Sequence, residues 1–166
     1  GFIKAHKLNN MLSEWWEIPF DVMSCMHVNN EIGTIQPVKE LATIAHRYGI
    51  LFHTDAVQAI PYIPIDVKDW NVDYMTLSAH KLYAPKGVGA LYVKKGSPIM
   101  PLIRGGHQEN GLRAGTYNSP SIITFGFAAE LAKKNLSEYA EHTRILRNKL
   151  KDGLLQRISN IKINGD

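Results

Sequence analysis

Lys81 closes the segment Ser78-Ala79-His80-Lys81, which brings an amine, an imidazole and a hydroxyl into one short stretch. A lysine at a strand end is ordinarily a solvated cation. A lysine that attacks an aldehyde needs a desolvated place with anion donors beside it, and Ser78 and His80 are donors of that kind. Asp55 is the second piece. An Asp after a strand is commonly a cap or a turn residue. If it faces the same pocket as Lys81, its carboxylate would instead hold a proton on a pyridine nitrogen, the feature that makes pyridoxal phosphate an electron sink. Gln58, three residues on, is either a surface amide or a second contact to that ligand.

These residues need elements to position them. Asp21 to Val28 is a compact apolar run that stops at Asn29-Asn30, and Ile50 to Thr54 is another that stops at Asp55. Tyr74 to Ser78 and Val88 to Val93 read as a third and a fourth strand. Between the first two, Pro37 marks a helix start, Leu41, Ile44 and Ala45 share a face, and Gly49 is a stop. Leu8, Met11, Leu12, Trp15 and Trp16 recur at helical spacing over Lys7 to Trp16, which predicts a helix docked on the sheet, with an interface anchor as the alternative use of the tryptophans. Ser119-Pro120 predicts a cap and first turn for a helix toward Lys134, and Ser137 to Ile158 continues the period, as a separate helix or the same one. Strands alternating with helices imply an α/β fold with a mainly parallel sheet flanked by helices. Ligands of such sheets bind outside the carboxyl ends of the strands. Three successive strand ends here carry unusual polar residues: Asn29-Asn30, then Asp55, then Ser78 with His80 and Lys81.

The 166 residues are 45% hydrophobic and 20% charged, a soluble globular composition, with a formal charge of +4. That charge is localised. Between Tyr74 and Gln108 there is no Asp or Glu, while Lys81, Lys86, Lys94, Lys95 and Arg104 are all there. The remainder of the chain is close to neutral, and no face is striped with basic and aromatic residues, so a phosphate ligand suits the excess better than a nucleic-acid surface. No apolar run reaches the roughly 18 residues of a membrane span, and no signal-peptide layout opens the chain, so a cytoplasmic location is expected. Gly1 and Asn164-Gly165-Asp166 read as cuts through a longer protein.

Other residues carry less. His27, His53, His80 and His107 are 26 to 27 residues apart, a strand-helix repeat length rather than paired metal-ligand spacing, and no metal site is expected. The glycines at 105, 106, 111 and 115 do not follow a strand and open a helix, which disfavours a dinucleotide site. Lys133-Lys134, Arg144 and Arg147 read as solvated helix faces. Cys25, the single cysteine, sits inside an apolar strand and reads as core.

Four segments together resemble one family. Met26-His27-Val28-Asn29-Asn30-Glu31-Ile32-Gly33-Thr34, His53-Thr54-Asp55-Ala56-Val57-Gln58, Ser78-Ala79-His80-Lys81 with Pro85-Lys86-Gly87, and Arg104-Gly105-Gly106-His107-Gln108-Glu109 through Arg113-Ala114-Gly115-Thr116 are similar to the cysteine desulfurases. These are pyridoxal-phosphate enzymes of the class V aminotransferase group, and the branch resembled serves iron-sulfur cluster assembly and tRNA thiolation. The resemblance runs from about Asp21 to Asn135.

It implies the central part of a fold-type I large domain over residues 1–135, with 136–166 forming a long helix and the start of a small C-terminal domain. Lys81 would form the Schiff base, Asp55 would pair with the pyridine nitrogen, and Asn30 and Gln58 would approach the ring hydroxyl. Ser78 and His80 would bind the phosphate, and Thr116 would reach the phosphate of a neighbouring subunit in a homodimer. The implied substrate is L-cysteine, the products are L-alanine and a persulfide, and the partner is a sulfur-accepting scaffold protein. The family's catalytic cysteine and its substrate-carboxylate arginine fall beyond the point matching Asp166, so no turnover is expected from these residues alone. Two other readings stay open: a non-catalytic dimerising or scaffold module, and another activity of the same family such as a selenocysteine lyase.

Overall fold

The computed structural model describes residues 1–15, 17 and 19–165. The sheet has four strands in the order β1 (Val22–Met26), β2 (Leu51–Asp55), β3 (Tyr74–Ser78), β4 (Gly89–Val93). β1 and β2 are parallel, β2 and β3 are parallel, and β4 runs antiparallel to β3. Connection length explains the change of direction. The β1–β2 and β2–β3 links contain the helices α2 (Val38–Arg47) and α3 (Val67–Trp70), whereas residues 79–88 are too few for a crossover and return as a hairpin. α/β with a mainly parallel sheet is the observed class.

One face of the sheet carries the core. Phe52 and Thr54 of β2, Cys25 of β1 and Met75 of β3 point to it, and α2 covers it with Leu41, Ala42, Ile44 and Ala45. α1 (Ala5–Glu14) adds Ala5, Leu8 and Leu12, spaced as one helical stripe, and packs on α2. Truncating the fully buried Phe52 to Ala would cost about 3–5 kcal/mol.

The other face follows from strand alternation. It carries Ser24, His53, Asp55, Thr76 and Ser78, which are half-buried or exposed. Asp55 and Ser78, singled out by sequence, therefore share the face that the hydrophobic core does not use.

Several expected boundaries move. α1 starts earlier and ends before Trp15, which is 46% exposed and stacks on Phe20 rather than docking on the sheet. Trp16 lies outside the described residues. The helix expected to be capped by Ser119 is α4 (Ser119–Lys134), and its cap is Asn118, whose Oδ1 accepts the Ser121 N–H at 3.4 Å. α5 (Leu136–Arg157) is a separate helix. Asn135 divides the two because its own N–H and its side-chain amide both go to the Leu131 carbonyl, each at 3.0 Å, and its backbone leaves the helical region. α3 was not expected; Asp66 caps it by accepting the Lys68 and Asp69 N–H groups. Among the described residues no helix is long and apolar enough to cross a membrane.

Candidate functional site

Because β1, β2 and β3 are parallel, their carboxyl ends lie along one edge of the sheet. Asp55 is the last residue of β2 and Ser78 the last of β3, and Asp55 pairs in register with Met26 on one side and Thr76 on the other. His80 and Lys81 follow in a 3₁₀ turn over Ala79–Leu82.

That turn is firmly held. Ala79 and Leu82 are buried and anchor it, and the Ala79 N–H reaches the Val88 carbonyl at 3.1 Å. Tyr83 ends it in the left-handed region at φ 64°, a conformation that a bulky side chain rarely adopts, and the Ala84 N–H returns to the Ala79 carbonyl at 3.2 Å. Lys81 stands half-buried between the two anchors.

Ser78 Oγ lies 2.7 Å from His80 Nδ1. Both residues line an open groove of about 470 Å³ with Lys86, Gly87, Val88 and Gly89. The groove thus joins a hydroxyl, an imidazole and a lysine within the stretch that has no acidic residue, a donor set suited to an anion. Lys86 is the residue that residue-type reasoning left without a role here, and its place in the acid-free segment was the available signal.

Asp55 is fixed in two ways. Its carbonyl accepts the His27 N–H at 2.8 Å, and its Oδ1 accepts the Val57 N–H at 2.9 Å. Gln58 sits half-buried in the turn that follows, where the Ala59 and Ile60 N–H groups close back on the Ala56 carbonyl. His53, two residues before Asp55, lies 2.7 Å by its Nδ1 from Ser24 Oγ on β1. Burial lowers the His53 pKa, and the charge of Asp55 offsets part of that. Nothing in the sequence signalled this pair, since it depends on strand register.

The Asn29-Asn30 pair divides in role. Asn29 shapes the loop after β1: its Oδ1 accepts the Glu31 and Ile32 N–H groups at 3.0 Å each, and its backbone pairs with Thr34 and Gly33. Asn30 is exposed at the loop's apex. Thr116 is exposed in the loop before α4, and among the described residues no recorded hydrogen bond joins it to the strand-end cluster. Cys25 is buried and its thiol pKa is pushed up by burial, the condition of an unreactive core thiol.

A family model described as "Aminotransferase class-V" matches residues 7–166. A cysteine desulfurase of Gluconacetobacter diazotrophicus is 54% identical over 87% of this chain and 36% of its own length. The cysteine desulfurase IscS of Clostridium botulinum is 47% identical over 99% of this chain and 41% of its own length. Among solved structures, a NifS-like protein of Rickettsia africae superimposes with a TM-score of 0.88 at 30% identity, over 99% of this chain and 47% of that one. A second NifS-like protein gives a TM-score of 0.85 at 43% identity, over 93% and 42%. The chain therefore spans less than half the length of the relatives it matches. The parallel strand ends, the Ser-x-His-Lys turn and a family match over nearly every residue agree: the chain belongs to the class-V aminotransferase family.

Proposed function

We propose that the chain is the cofactor-binding middle of a pyridoxal-phosphate-dependent cysteine desulfurase, which converts L-cysteine to L-alanine and passes the sulfur on as a persulfide for iron-sulfur cluster assembly or tRNA thiolation. The observation that carries this reading is the shared strand edge, which bears Asp55 at the end of β2, Ser78 at the end of β3 and His80 with Lys81 in the turn that follows, Ser78 and His80 lining the groove.

The residues present fit pyridoxal phosphate by the chemistry of their donors. Ser78 and His80, already 2.7 Å apart, would hold the phosphate, with the Lys86 amine lining the same groove. Asp55 would keep a proton on the pyridine nitrogen. Lys81 would bond covalently to the aldehyde carbon and, once displaced by substrate, would carry protons as a free amine. Asn30 and Gln58 would meet the ring hydroxyl, and Thr116 would serve the phosphate of a second subunit in a homodimer. Bound there, the cofactor supplies an electron sink for the substrate's α-carbon.

Cys25 is not the sulfur acceptor in this scheme, because its thiol is buried and held protonated. In this scheme the acceptor thiolate and the substrate-carboxylate arginine would be supplied by other parts of the whole protein. We assign residues 1–135 to the large cofactor-binding domain and 136–166 to the helix leading into the small one, and place the protein in the cytoplasm with a scaffold protein as sulfur acceptor.

Addition of pyridoxal phosphate should produce the bound cofactor's absorbance near the visible edge, and Lys81→Ala should remove it. Identical spectra for the two proteins would refute the assignment. With L-cysteine, the whole protein should release alanine and sulfur together; alanine without sulfur would leave the cofactor but reject desulfuration.

A further inference from the structure

Ser24 and His53 face each other in the parallel β1–β2 register, and their side chains meet at 2.7 Å. Asp55 is two residues further along β2, hence on the same sheet face and about 6 to 7 Å away by the strand rise. Around His53 that face offers Ser24 and Met26 from β1 and Tyr74 and Thr76 from β3. Asp55 is the one carboxylate the four strands contribute to it. The Val57 N–H occupies Asp55 Oδ1, so Oδ2 is the oxygen left to meet a ligand.

An imidazole beside a carboxylate can act in two opposite ways. Charged, it would compete for the carboxylate's negative charge; neutral, it fills space and excludes water without competing. Burial favours the neutral form of His53 and outweighs the pull of Asp55. The Ser24 hydroxyl fixes the ring's orientation from the neighbouring strand.

Resting on the cofactor assignment above, we propose that His53 and Ser24 are positioning residues for Asp55: the Ser24 hydroxyl, 2.7 Å from His53 Nδ1, orients the imidazole on the sheet face that carries the carboxylate, and the carboxylate's charge is left to a pyridine nitrogen. Neither touches the cofactor in this scheme; both act through Asp55.

The test compares two ligands in the whole protein, pyridoxal phosphate and its 1-deaza analogue, in which a CH group replaces the ring nitrogen. His53→Lys places a cation beside Asp55 and should weaken pyridoxal phosphate by about tenfold or more, the scale of a unit charge several ångströms from a carboxylate at protein dielectric. Ser24→Ala should weaken it about three- to tenfold, the range of one lost hydrogen bond. Affinity for the deaza analogue should stay within about twofold throughout. His53→Asn, whose amide can keep the bond to Ser24 without a charge, should restore wild-type affinity. Parallel loss of both ligands in His53→Lys, or no loss of either, overturns the proposal. Lys81→Ala in the same series tests the cofactor assignment separately: if it leaves the bound cofactor's absorbance intact, that assignment fails whatever the His53 variants do.

Discussion

His46 Nε2 lies 2.6 Å from Asp73 Oδ2, and the same carboxylate oxygen accepts the Phe52 N–H at 2.8 Å. Asp73 thereby ties the end of α2 to the starts of β2 and β3, and Ser97 and Lys94 approach its other oxygen from beyond β4. The clasp sits at the end of the sheet opposite the site and sets the register from which Asp55 and Ser78 emerge.

Removing that carboxylate takes their partner from the buried Phe52 N–H and the half-buried His46 ring. Asp73→Ala should cost about 3 kcal/mol in chemical denaturation, the scale for breaking a buried pair from one side. Burial alone would raise the Asp73 pKa, but the Phe52 N–H, His46 and Lys94 together outweigh it and hold the carboxyl below its ordinary range. The sign follows from linkage. A depressed folded-state pKa contributes stability above the unfolded carboxylate pKa, and that contribution is lost as pH falls through the folded value. Acid unfolding of the wild type should therefore steepen below the ordinary Asp range, and Asp73→Asn should flatten it; equal acid limbs in the two proteins would count against the clasp.

The two neighbouring asparagines should separate stability from binding. Asn29→Ala frees the Glu31 and Ile32 N–H groups and should destabilise the fold by about 1–2 kcal/mol. Asn30→Ala, at an exposed position, should leave unfolding within about 0.5 kcal/mol of wild type while weakening pyridoxal phosphate. A cofactor titration beside a denaturation curve decides it, and an Asn30→Ala protein with unchanged cofactor affinity would remove Asn30 from the site.

The strands and α2 were legible because each apolar run stops at a polar residue or a glycine, and burial imposes that pattern whatever the partner. α3 escaped because four residues cannot display a helical period; Asp66 was its one local mark. Asn118 and Ser119 are both cap-type residues, so composition alone does not choose between them. The strand-end residues Asp55, Ser78, His80 and Lys81 were legible as a cluster since parallel strands deliver their ends to one edge. Ser24 with His53 and His46 with Asp73 were not, because each pair joins segments 27 or 29 residues apart through a register that exists only once the sheet forms.

Cys25 should behave as packing rather than as a nucleophile. Burial raises its pKa, so the thiolate fraction at neutral pH falls below that of an unperturbed thiol. Alkylation should be slow in buffer and should accelerate with unfolding in denaturant. Cys25→Ala should cost about 1 kcal/mol and keep cofactor binding. Rapid labelling of the folded protein would contradict the buried assignment.

Gly89 connects the hairpin to the site. It opens β4 opposite Ser78, and a Cβ built there would lie 2.6 Å from the Leu77 carbonyl oxygen, a backbone atom that cannot turn aside. Its φ is not in the left-handed region, so the constraint is close approach rather than conformational freedom. Gly89→Ala must push β4 away from β3 just where Ser78 and His80 leave the sheet, at a cost of about 1–3 kcal/mol for the overpacked contact. Gly87, two residues earlier, has φ 84° and nothing within 4 Å of an added Cβ, so Gly87→Ala strains the backbone without crowding β3. If the β3–β4 contact positions the phosphate donors, Gly89→Ala should lose more affinity for inorganic phosphate and for pyridoxal phosphate than Gly87→Ala of matched stability. Equal losses at matched stability would mean that the groove tolerates displacement of β4.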